Sequence, residues 1–189
     1  MTTTLSKYSL GLRNFMDDIK IMQRGKFYLT PLQYSHIEEI CSNLPPEGLH
    51  DIKSLGYDTP KEALLEMMQI SESYVVKSDG GPILCVTGLA FDVTIELPQF
   101  FCMFTNEIKK NLRLLIIGSH MIMGLFDQTH PRLCMSILSD FPLMLNWAAS
   151  LGFEPVGVSE HYNCKYIEFV RCNPMEKDVS DKLSRPVMH

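Results

Sequence analysis

Apolar positions recur at helical and strand periods in alternation along the chain. Leu12, Phe15, Ile19 and Met22 step by three or four, the spacing of a short amphipathic helix. Lys26 to Leu29 has the spacing of a short strand. Thr30-Pro31-Leu32-Gln33 carries a helix-start signature, with Thr as N-cap, Pro at the first helical position and Gln three residues on. Leu32, Ile37, Ile40, Cys41 and Leu44 line one face of that helix, and Pro45-Pro46 stops it. Thr59-Pro60-Lys61-Glu62 repeats the start signal and opens a helix through Leu64, Leu65 and Met68.

The β pattern then takes over. Tyr74-Val75-Val76 and the run Ile83, Cys85, Thr87, Leu89 flank Asp79-Gly80-Gly81, a hairpin turn by composition. Phe100 to Thr105 is a further strand, and Asn106 to about Phe126 a long helix capped by Thr105 or Asn106. Leu133 to Leu138 is a strand. Phe141 to Leu151 is a helix ended by Gly152 as its C′ residue. Val156 to Glu160 and Lys165 to Cys172 form a last pair around His161-Tyr162-Asn163. The order is strand, two helices, three strands, helix, strand, helix, two strands. It predicts an α+β domain: a mixed, largely antiparallel sheet flanked by helices on both faces. The expected organisation is an N-terminal arm over 1–25, possibly helical; one domain over 26–173; and a flexible, polar, proline-containing tail over 174–189.

Composition narrows the classes. The net charge of -5 lacks the cationic excess that phosphate neutralisation requires, so no specific nucleic-acid partner is expected. The longest apolar stretch, Leu112 to Phe126, falls short of the ~20 residues of a membrane span and contains Arg113, Ser119 and His120. The N-terminus has no apolar run beside basic residues, so the chain is not expected to be secreted. Six cysteines, at 41, 85, 102, 134, 164 and 172, include no C-x-x-C pair and no zinc-finger spacing, which suits free buried thiols in a reducing compartment. His36, His50, His120 and His130 have no partner at ligand spacing, and no metal is expected. Trp147, among Met144, Leu145 and Leu151, is expected in the core.

The element order, together with Asn146 to Glu154 and its Leu151-Gly152-Phe153 helix end, resembles the GNAT family of acetyl-CoA-dependent N-acetyltransferases. Thr59 to Leu64, Tyr74 to Val76 and Asp79 to Ile83 resemble a narrower branch, the GNAT-like proteins of tailed bacteriophages, including the internal virion protein A type of T7-like viruses. The resemblance covers roughly residues 26 to 172 and implies acetyl-CoA as cofactor, where the site is functional. The family holds the pyrophosphate with a Gln/Arg-x-x-Gly-x-Gly/Ala loop, in which glycines let backbone N–H groups approach the phosphates at a helix N-terminus. The matching segment here, Thr105-Asn106-Glu107-Ile108-Lys109-Lys110-Asn111, has no glycine. Thr105, Asn106, Lys109 and Lys110 are the cofactor-binding candidates. The plain alternative is an N-cap, a dipole-matched Glu107 and a solvated lysine face.

The family's general-acid tyrosine falls on Ala148, which cannot donate a proton. Its general base implies Glu96 or Asp92. His161, in the last turn, is a second catalytic candidate because its charge changes near neutral pH.

Three functions remain open on sequence. The favoured one, given the missing glycines and tyrosine, is a divergent, non-catalytic GNAT-fold phage protein that binds a virion or host protein, in the virion or the host cytoplasm; the other two are alternatives. Another is an N-acetyltransferase whose strand backbone still holds the pantetheine arm. The third is an inhibitor of a host defence protein.

Overall fold

The computed structural model describes residues 20–91, 96–110 and 112–173. The expected helix over Leu12 to Ile19, Asp92 and the tail over 174–189 lie outside them. The chain divides into two compact units, residues 1–90 with 101–111 and residues 91–100 with 112–189.

In the first unit, β1 (Met22–Arg24), β2 (Phe27–Pro31), β3 (Ser71–Ser78) and β4 (Ile83–Ala90) form an antiparallel meander. Met22 therefore belongs to a strand, paired with Leu29, and not to a helix face. Gly25, at φ 59, supplies the turn into β2 because a residue without Cβ enters the left-handed region freely. Helices α1 (Tyr34–Ser42), α2 (Pro46–Ser54) and α3 (Pro60–Ile70) connect β2 to β3. Ile37, Ile40, Ile52 and Leu64 from these helices pack with Val75, Ile83 and Val86 of the strands.

Thr59 caps α3 as its sequence predicts, its Oγ1 accepting from the Glu62 N–H at 3.2 Å. Thr30 does not cap α1. It pairs with Val75 inside β2, and the helix starts at Gln33, whose N–H donates to His36 Nδ1 at 3.2 Å in a capping box. Pro45-Pro46 is a start as well as a stop: Pro45 is the N-cap of α2 and Pro46 its first residue, where a missing N–H costs nothing.

In the second unit, β6 (Arg132–Leu138), β7 (Glu154–His161) and β8 (Cys164–Cys172) are antiparallel in the order β6-β8-β7. The strand β5 (Gln99–Phe104) begins in this unit, Phe101 to Phe104 belonging to the first, and it lies parallel to β6 with one register position, Gln99↔Cys134, among the described residues. Helix α4 (Leu112–Phe126) precedes β6 and α5 (Pro142–Ser150) follows it. Around Phe100, the rings of Phe126, Trp147 and Phe153 lie with centroids 6.0 to 6.1 Å away. Trp147 is core, as expected, and its Nε1–H donates to Ser119 Oγ at 3.0 Å. Gly152, at φ 85, ends α5 as predicted: its N–H donates to Ala149 O, and the Phe153 N–H donates to Ala148 O.

Asn106–Lys110 is a 3-10 helix rather than the first turn of α4. Among the described residues no helix is long and apolar enough to cross a membrane. All six cysteines are free; Cys85 is buried, Cys172 is exposed and the other four are intermediate, so the expectation of uniformly buried thiols does not hold.

Candidate functional site

The four residues proposed to hold a pyrophosphate are engaged by the first unit itself. Thr105 is fully buried; its N–H and Oγ1 both donate to Leu84 O at 3.0 Å, and Oγ1 also lies 2.7 Å from Ile83 O. Its hydroxyl thus ties the end of β5 to the start of β4 and caps no helix. The backbone N–H and the side-chain amide of Asn106 both donate to Asn43 O, at 2.8 and 3.1 Å, securing the C-cap of α1. Lys109 faces Glu47 at 3.7 Å, and Lys110 bonds both oxygens of Glu107 at 3.0 and 3.1 Å. Both ammonium groups are largely exposed, so these pairs are weak and an anion could compete for them.

The two catalytic candidates do not form a constellation. Glu96 lies exposed in a bend before β5. His161 ends β7, exposed, with its ring edge-on to Tyr166 at 5.8 Å. The following turn puts Tyr162 and Asn163 at φ 48 and 62, the geometry of a tight two-residue hairpin. Ala148, at the tyrosine position, is completely buried.

The sheet of the second unit carries a polar constellation that the sequence reading passed over. Ser136 of β6 stands directly opposite Glu168 of β8. Ser136 Oγ donates to Glu168 Oε2 at 2.6 Å, Ser159 Oγ of β7 donates to Glu168 Oε1, and Gln99 Nε2 of β5 donates to Ser136 Oγ at 3.3 Å. Four strands thus contribute one side chain each. Leu133, Met135 and Ile137 of β6 point the other way and are buried, whereas Cys134, Ser136 and Glu168 are only partly covered. The signal in the sequence was there: a lone carboxylate between Ile167 and Phe169 in a strand-like run, opposite the polar phase of Leu133 to Leu138. A carboxylate has about four lone-pair positions, and the two serines use two of them. Among the described ion pairs none involves Glu168.

Thiol chemistry is disfavoured here. Burial pushes the Cys134 thiol up, and the nearby Glu168 charge adds to the effect. Burial also raises Cys41, and it holds Cys102, with Cys85 beside it, well above the ordinary thiol value. A protonated thiol is a poor nucleophile.

No family model and no curated protein sequence matches the chain. Solved structures do. A Bordetella pertussis protein described as a GNAT-family acetyltransferase superposes with a TM-score of 0.65 at 14% identity, over 82% of this chain and 100% of that one. The ribosomal-protein-S5-alanine acetyltransferase of Vibrio fischeri gives 0.61 at 13%, over 83% and 98%. This chain has the GNAT fold. The microcin C7 self-immunity acetyltransferase MccE, solved with acetyl-CoA and AMP, has the same fold, with a TM-score of 0.60 at 13% identity over 79% and 93%. At these identities the likeness is one of fold, and chemistry has to be argued from the residues. The GNAT fold accounts for the element order and for the parallel pair β5–β6 in an otherwise antiparallel set.

Proposed function

We propose that the chain is an N-acetyltransferase that moves an acetyl group from acetyl-CoA to an amine. The observation that carries this reading is the coverage of its fold neighbours: 93 to 100% of three chains described as acetyltransferases, one of them solved with acetyl-CoA, is matched by this chain. A polar constellation on the sheet of the second unit supports it, because acyl transfer needs a group to receive the amine's proton. The glycine-free segment moves the pyrophosphate contacts from backbone N–H groups to the exposed Lys109 and Lys110. The loss of the tyrosine at Ala148 leaves departure of the thiolate without a side-chain acid at that position.

A second reading is a non-catalytic binding module, of the phage virion or host-interaction kind to which the segment 59–83 is similar. It is favoured by the internal bonding of Thr105, Asn106, Lys109 and Lys110, which fills the family's anion site with the chain's own contacts.

Isothermal calorimetry with acetyl-CoA distinguishes the two. Acetyl transfer expects saturable micromolar binding, weakened at least tenfold in the double substitution Lys109→Ala, Lys110→Ala. No binding at millimolar cofactor removes the enzyme reading.

A further inference from the structure

Two acids of the second unit are partly buried among its described residues, Asp127 and Glu168, and they differ in their partners. Asp127 has its own cation, the buried Arg171. Glu168 is also partly buried, yet its partners are neutral hydroxyls, Ser136 Oγ at 2.6 Å and Ser159 Oγ. Gln99 Nε2 in turn fixes Ser136 from β5. A carboxylate taken partly out of water gains most from a full positive charge, and hydroxyl donors supply only part of that. The serines turn the carboxylate and hold it still. They leave about two lone-pair positions for a further donor. Its place in the fold adds direction: Ser136 lies two residues beyond Cys134, the position at which β6 and β5 are in register, and on the same face of β6.

We propose that Glu168, oriented by Ser136 and Ser159, is the residue that receives the acceptor: it binds a primary ammonium group and takes its proton. The inference rests on the acetyl-transfer reading for its chemical step. In that step the R–NH3+ group passes one proton to a Glu168 carboxylate oxygen. The freed nitrogen lone pair forms the C–N bond to the acetyl carbon of acetyl-CoA. The C–S bond then breaks, with its electron pair and the second nitrogen proton going to sulfur, and Glu168 releases its proton to solvent. The products are the acetamide, free CoA thiol and one proton. This assignment gives Glu168 the role of base that the family resemblance had implied for Glu96 and that the last turn had offered to His161. Those two stand exposed at opposite ends of the hairpin-and-strand set, in a bend before β5 and at the end of β7.

The test uses the full chain and 1,4-diaminobutane as the amine probe, with 1,4-butanediol as its uncharged isostere. Each is titrated without cofactor into the wild type and into Glu168→Gln, with backbone amide shifts followed by NMR. The diamine is expected to move amides of β6 and β8 around Ser136 and Glu168, with affinity at least tenfold weaker in Glu168→Gln; the diol is expected to move neither protein. Equal diamine affinity in the two proteins, or equal shifts from the diol, overturns the inference. Should Glu168→Gln fail to fold, the double substitution Ser136→Ala, Ser159→Ala keeps the charge and removes its orientation. A three- to tenfold weaker diamine interaction is then expected, and unchanged affinity overturns the inference. Acetyl-CoA binding, measured separately, keeps the two ideas apart. A chain that binds acetyl-CoA and retains full amine affinity in Glu168→Gln loses this inference alone, and one that holds the diamine through Glu168 but binds no acetyl-CoA loses acetyl transfer, and with it the proton-transfer step, and keeps Glu168 as an ammonium site.

Discussion

Arg171 ties three elements of the second unit together, and removing its charge should cost that unit heavily. It is 7% exposed at the end of β8. Its guanidinium grips Asp127 in a two-pronged pair, with Nη2 to Oδ2 at 2.8 Å, and Nε donates to the Leu151 carbonyl at 2.7 Å. One residue therefore joins the strand β8 to the C-terminal ends of α4 and α5. In Arg171→Met the apolar stem is largely kept, so the lost terms are electrostatic. Breaking a buried pair from one side typically costs about 3–5 kcal/mol, because the remaining charge stays behind without compensation. The Asp127 side chain is 18% exposed, so some water reaches it, and the lower part of that range applies. The Leu151 carbonyl loses a donor, which adds about 1 kcal/mol. The expected loss is about 4 kcal/mol, a large fraction of the ~5–15 kcal/mol by which domains are stable.

Urea denaturation followed by fluorescence measures this directly, since Trp147 is the single tryptophan and lies in the core of the same unit. The double substitution Arg171→Met, Asp127→Leu removes both charges. It should be less destabilised than the sum of the two single substitutions by about 2 kcal/mol or more. A loss under ~1 kcal/mol for Arg171→Met, or strict additivity in the double variant, refutes the view that the pair holds these elements together.

Two further substitutions probe the first unit. Burial pushes the Asp51 carboxyl up to about 6, against a smaller opposing effect of His50. A carboxyl whose folded value is raised contributes stability that is complete below its unfolded value near 4 and is lost as pH rises through about 6. Asp51→Asn should therefore stabilise the chain at pH 7, by up to about 3 kcal/mol for a shift of some two pH units, and should flatten the stability profile between pH 4 and 6; a profile identical to wild type counts against it. A Cβ on Gly88 would lie 2.1 Å from Glu72 O and 3.0 Å from Phe101 Cζ, across a strand pair with no room to shift. Gly88→Ala should cost about 3 kcal/mol, a fall in Tm of roughly 6–12 °C by calorimetry, and a fall under ~2 °C contradicts the packing.

Most of the element order was legible because strand and helix periods differ, but the strand Met22–Arg24 and the helix Pro46–Ser54 were not among the expected elements. Val75 and Leu133, in runs read as strands, are completely buried, and β4 is buried on both faces from Ile83 to Leu89, so the alternation of Ile83, Cys85, Thr87 and Leu89 did not mark Val86 as core. What failed was punctuation. Thr30-Pro31 and Thr59-Pro60 carry the same local signature, but Thr30 is paired to Val75, 45 residues away, and no window around residue 30 contains that partner. Pro45-Pro46 was read as an end although Pro at a first helical position also begins a helix. For the site, the missing glycines were legible residue by residue, while the engagement of Lys109 by Glu47 and of Asn106 by Asn43 is long-range. Glu168 was not legible for a different reason: its half-burial comes from the pairing of β8 with β6 and β7, and a carboxylate in an isolated strand-like run has the same sequence signature as a solvated one.

The absence of glycines at 105–110 and the burial of Thr105 go together. A glycine loop leaves its backbone N–H groups pointing at a ligand because nothing else fills the space. At 105–110 side chains fill it instead: the Thr105 hydroxyl takes the β4 carbonyls, Ile108 is 7% exposed, and the Asn106 N–H is committed to Asn43. Any anion reaching this segment must compete for Lys109 and Lys110, each already paired though largely exposed. Contacts of that kind are screened by salt, whereas a backbone cradle is screened much less. Acetyl-CoA binding to this chain should therefore weaken steeply between 50 and 300 mM salt, and salt-independent binding would place the phosphates elsewhere.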